Sequence, residues 1–130
     1  AVALWNGVGV PVGDAGGVTI PVVFQSGAAP EEHGLYAGSA IYVSTGVTGD
    51  ARVIVLAHEI GHAIGLVHVG DRPSVMNPGN LTVEPTAVDA ATVTARGGRA
   101  VRGARRRARR ARRGPARRAR AATPARRPRG

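Results

Sequence analysis

Cysteine is absent from the 130 residues, which excludes both a disulfide framework and a thiolate metal site. Lysine is absent too, since all 18 basic residues are arginine. Aromatic side chains are nearly missing, with one Trp, one Phe and two Tyr. That leaves few large residues to fill the core of a small domain. No apolar run approaches the ~20 residues that a membrane-spanning helix needs, so no membrane partner is expected. No signal-peptide pattern is visible at the start, where the chain opens on Ala1.

The charge that is present lies unevenly. Arg52 and Arg72 are the only basic residues of 1–95, against all eight acidic residues, whereas 96–130 hold the other sixteen arginines and no acid. The whole-chain pI of about 11.8 therefore averages two unlike parts. Residues 1–95 read as one acidic domain, expected to be a monomer. Residues 96–130 use only Arg, Ala, Gly, Pro, Val and Thr, and such a segment buries too little apolar surface to offset ordering, so a disordered tail is predicted. Its arginines can bind nucleic acid non-specifically by neutralising phosphates, but it has no aromatics for base stacking and no recognisable fold. The same vocabulary is what a GC-rich gene yields in a wrong frame.

The most informative stretch is His58-Glu59-Ile60-Gly61-His62-Ala63-Ile64-Gly65-Leu66-Val67-His68. His58 and His62 are four apart, which on a helix puts both imidazoles on one face, a turn apart. Two neutral ring nitrogens at that spacing reach one metal ion at roughly 2.0–2.1 Å. Glu59 sits beside the first ligand, placed to move protons of a nearby water. Gly65 takes positive φ at low cost and can end the helix in a sharp turn. His68 then returns as a third ligand. Three protein ligands with one position left open is the pattern of a catalytic zinc site, not of a closed structural one. The fourth histidine, His33, has no histidine near it in sequence and reads as a surface residue.

A second motif follows at Ser74-Val75-Met76-Asn77-Pro78, with Met76 eight residues after His68. The two motifs together resemble the zinc signature of the metzincin metallopeptidases, and the S-x-M-x-P form is most similar to the matrixin branch. Astacin-like and serralysin-like members carry a Tyr where this chain has Pro78. The resemblance implies an α+β, zincin-like fold: a small mixed sheet, an active-site helix and a closing C-terminal helix. It implies Zn2+ on His58, His62 and His68, Glu59 as general base and then acid, and Met76 in a tight turn under the metal. It also implies a peptide or protein substrate, paired antiparallel with an edge strand near Leu35–Ser39, and a secreted protein. The family's first strand would precede Ala1, so the domain reads as N-terminally incomplete. A zinc endopeptidase is therefore weighed against an inactive truncated metallopeptidase, or a basic protein binding nucleic acid through its tail. In matrixins an aromatic often stands two places beyond the Pro and lines the pocket for the residue after the cut. Here that place is Asn80, which implies a more open or more polar wall, with an apolar preference expected by resemblance.

Local patterns supply the remaining elements. Ala1–Gly7 reads as a helix end with Leu4 and Trp5 as apolar anchors and Gly7 as a stop. Val18–Phe24 is β-branched and reads as a strand, demoted to an edge or bulged position by Pro21. Leu35–Ala37 and Ala40–Ser44 read as two short strands or one bent strand. The run Val53-Ile54-Val55 favours strand by propensity, but the ligand spacing requires a helix over 51–64, with Asp50 as its N-cap. Pro85–Ala95 reads as a helix, with Asp89 as a first-turn acid favoured by the helix dipole.

Overall fold

The computed structural model describes residues 1–13, 17–26 and 33–97. In chain order these form α1 (Val2–Gly7), β1 (Val22–Gln25), β2 (Gly34–Tyr36), β3 (Ile41–Ser44) and α2 (Gly49–Ala63), then a helix, α3, over 87–97. The expected disordered tail, with its nucleic-acid reading, lies outside the described residues apart from positions 96 and 97. The same holds for the solvated pair Glu31 and Glu32.

The sheet is organised around β3, which lies between the other two strands. β1 pairs with it in parallel from Val22↔Ile41 to Gln25↔Ser44, and β2 pairs antiparallel from Gly34↔Val43 to Tyr36↔Ile41. Alternation of side chains along a strand puts Ile41 and Val43 on one face, where both are buried against Val47 and Val55 of the following segment. Burying each such side chain stabilises by about 1.5–3 kcal/mol. β1 starts four residues later than the sequence suggests, directly after Pro21. Proline has no N–H to give to a ladder, but its carbonyl still accepts the Ile41 amide at 2.9 Å. The strand is an edge, as expected, and Val18, 91% exposed, lies outside it. β2 and β3 are two separate strands. Their turn has Gly38 at φ +80°, and the Ala37 amide donates to the Ala40 carbonyl across it.

Helix α2 runs through the Val53-Ile54-Val55 triplet in spite of its strand propensity. Ile54 and Val55 are buried, and tertiary packing outweighs a local preference of a few tenths of a kcal/mol. Its N-cap is Thr48, not Asp50; Asp50 falls in the first turn, where a carboxylate still favours the helix dipole. The helix closes in a Schellman arrangement. The Leu66 amide donates to Gly61 O at 2.9 Å and the Gly65 amide to His62 O at 3.0 Å, with Gly65 at φ +95°. This left-handed residue reverses the chain under Leu66, which is buried.

On the side of α2 away from the sheet, Trp5, Val10, Ala57, Leu66, Val75, Met76 and Ala90 form a second cluster. Trp5 is fully buried, and its indole N–H donates to Ala57 O at 2.9 Å, joining α1 to α2. Helix α2 is thus clamped between sheet and loop, within one compact unit that extends from Ala1 to Arg96. No helix among the described residues is long and apolar enough to cross a membrane.

Candidate metal centre and cleft

Helix α2 presents His58 and His62 one turn apart, and the Gly65 turn brings His68 back to meet them. The three Nε2 atoms lie 3.1 Å (His58–His68), 3.1 Å (His62–His58) and 3.2 Å (His62–His68) apart. The other ring nitrogens of two of them face carbonyl oxygens: His58 Nδ1 lies 2.7 Å from Val75 O, and His62 Nδ1 lies 3.1 Å from Leu66 O. A carbonyl only accepts, so these Nδ1 atoms carry the protons and the Nε2 atoms carry lone pairs. Lone pairs converging at this separation repel one another unless a cation lies among them. A divalent ion roughly 2.0–2.1 Å from each nitrogen fits such a triangle, with one coordination position left over.

Burial lowers the His58 pKa to about 4; the Val75 carbonyl opposes this, and His62 and His68 reinforce it. Burial also lowers the His68 pKa, as does His62. Both shifts favour the neutral ring that a metal ligand must be. Among the described residues, this trio is the cluster suited to holding a metal.

The trio lines a cleft of about 530 Å³ shared with Glu59, Val55, His33, Gly34, Leu35, Tyr36 and the segment Pro78-Gly79-Asn80. Glu59 is 5% exposed. Burial raises its pKa, while His62 and the Tyr36 backbone amide pull it the other way. Gly34 of β2 passes so close that a Cβ there would lie 2.9 Å from Glu59 Oε1 and 2.6 Å from a Val55 methyl. His33, read from sequence as a surface residue, is half-buried and lines the cleft.

Met76 is buried beneath α2. A Cβ at Gly61 would run into its sulfur and would meet the Trp5 ring at 3.3 Å. Gly61 is therefore the point of closest approach between the helix and the methionine turn. The sequence offered one signal for it: a glycine inside a buried helix costs about 1 kcal/mol relative to alanine, so its presence marks a tight contact. Pro78 stands at the mouth of the cleft.

Two residues read lightly from sequence hold the loop between α2 and α3. Asp89, 1% exposed, is a first-turn acid that does more than answer a dipole. Its Oδ2 accepts the Thr86 amide at 3.0 Å while the Asp89 amide donates to Thr86 Oγ1 at 3.2 Å, forming a capping box at the start of α3. Its Oδ1 accepts Ser74 Oγ at 2.7 Å and Arg72 Nη1 at 3.1 Å. Burial pushes its pKa up, but the hydrogen bonds from Ser74, Thr86 and Arg72 outweigh that, and the net shift is downward. Asn80 is no polar wall for a ligand. Its Nδ2 donates to Val75 O at 3.1 Å and Val83 O at 2.7 Å, and its Oδ1 accepts the amides of Thr82 at 3.1 Å and Val83 at 2.8 Å. Every polar position of the amide is used on backbone.

Residues 40–94 match the Matrixin family model. Over this segment the chain is similar to the matrixins. The matched stretch covers β3, α2, the methionine turn and most of α3, the parts that build the metal centre. No curated protein and no solved structure matches the chain. The α+β, zincin-like architecture read from the sequence agrees with the small mixed sheet and flanking helices of the described residues, of which β3, α2 and most of α3 lie in the matched segment.

Proposed function

We propose that this chain is a zinc-dependent endopeptidase. The observation that carries the proposal is the convergence of three Nε2 atoms, 3.1–3.2 Å apart, on one wall of an open cleft that Glu59 also faces. Residues His58, His62 and His68 are the ligands in this reading. Zinc bound there supplies Lewis acidity, polarising a peptide carbonyl and acidifying a water. Glu59 accepts the proton of the attacking water and returns it to the leaving amine, as base and then acid. Its burial, which raises its pKa, suits the second half of that task, because it helps the carboxyl keep the proton it has taken from the water.

β2 is the sheet edge that lines the cleft, and an extended peptide adds to such an edge by main-chain hydrogen bonds. Leu35, half exposed on β2, then contacts the substrate chain. Because Asn80 spends its amide on backbone, the wall formed by Pro78, Gly79 and Asn80 offers no free side-chain donor or acceptor. It therefore favours an apolar side chain after the cut. The partner is a peptide or protein, and the setting is extracellular by resemblance to the family.

Replacing Glu59 with Gln tests the assignment. Hydrolysis of a quenched peptide should fall by about 10²–10⁴-fold while zinc stays bound; a variant retaining full turnover would refute the role of Glu59.

A further inference from the structure

Between α2 and α3 the chain runs without helix or strand from 64 to 86, so its backbone groups need partners other than a ladder. Three side chains supply many of them: Asn77, Asn80 and Asp89. Asn77 binds Val69 O, Arg72 O and the Ser74 amide, each at 2.9 Å. Asn80 differs in one respect. One of its acceptors, Val75 O, is the same oxygen that receives His58 Nδ1–H. A carbonyl oxygen has two lone pairs, and here both are filled, one by the amide and one by the imidazole.

The Val75 amide is in turn held by Asp89 Oδ2 at 3.4 Å, and the Val75 side chain is fully buried. The peptide unit that carries Val75 O is also held at its other end, where the Met76 amide donates to Ser74 Oγ at 2.9 Å. Asn80 also closes the loop through Val83, so the cleft wall and the His58 orienter share one clamp.

We propose that Asn80 is a positioning residue of the metal centre, acting through the Val75 carbonyl to aim His58 Nε2. The inference rests on the metal-binding reading above. Without the amide, the carbonyl loses one of the bonds that aim it, and the ring that hydrogen-bonds it is held less firmly. Groups one step behind a ligand typically change metal affinity or activity by 10–100-fold when removed.

The test compares the full chain with Asn80→Ala, Asn80→Leu and Asn77→Ala. Zinc affinity is measured by chelator competition, and the His58 imidazole N–H is followed by NMR in the zinc-loaded protein. Asn80→Ala should bind zinc about 10-fold or more weakly and lose or shift that N–H resonance. Asn77→Ala, which loosens the same loop without touching Val75 O, should keep both near wild type. Asn80→Leu, close to asparagine in size, decides the matter should the alanine variant fail to fold. Affinity unchanged in the Asn80 variants, or an equal loss in Asn77→Ala, overturns the proposal while leaving the metal centre intact. A wild-type chain that takes up no zinc overturns both.

Discussion

Glycine 61 shows how finely single residues set this site. The space its side chain would need is filled by the Met76 sulfur and the Trp5 ring, and those two side chains are 1% and 0% exposed. Neither has room to retreat. Replacing Gly61 with Ala gains helix propensity but overpacks the contact, so it should lower stability by about 1–3 kcal/mol. Denaturant unfolding measures this directly. A neutral or stabilising effect would mean that the methionine turn does not press against α2 as described. At this scale, the sequence was most legible where spacing alone encodes geometry. His58, His62 and His68, with Glu59 and Gly65, could be placed because four-residue and six-residue offsets have few three-dimensional outcomes. Asn80 and Asp89 act on partners that the chain folds against, and no local pattern announces such contacts; for Gly61 the one signal is a glycine inside a buried helix.

Among the elements, the loop between α2 and α3 has the least secondary structure and the densest side-chain bonding. Its key bond is Asp89, which caps α3 with one oxygen and ties Ser74 and Arg72 with the other. Asp89→Asn keeps the shape but removes the charge from a carboxylate that is almost fully buried. The expected loss is about 2–3 kcal/mol. The pH dependence has a definite sign. The folded pKa of Asp89 is depressed, so its contribution is complete above the unfolded value of about 4 and is lost as pH falls through the lower folded value. The stability gap between wild type and Asp89→Asn should thus hold from pH 7 to about 5 and narrow below about 4. A gap that stays constant into strong acid would contradict the network. Element boundaries were less legible than element types. β1 shortened at Pro21 because a missing N–H stops a ladder, and α2 begins at Gly49 behind the Thr48 N-cap, two residues before the start that the sequence suggests. The triplet Val53-Ile54-Val55 was read as helix against its own propensity only because the histidine spacing demanded it.

For the molecule as a whole, the scarcity of aromatic residues makes the metal part of the folding problem. The core rests on one Trp, one Met and aliphatic side chains arranged in two clusters on either side of α2. An ion held by residues from the helix and from the loop after it would fasten the two together, and binding energy spent on the folded state adds to its stability. The proposed function requires His58, His62 and His68 to hold a single divalent ion. The most direct measurement is zinc content of the purified chain by native mass spectrometry, repeated on His58→Ala and His68→Ala. The wild-type chain should carry one zinc, displaced by chelator, and either variant little or none. A wild-type chain without zinc, or variants that retain it in full, would contradict the proposed function.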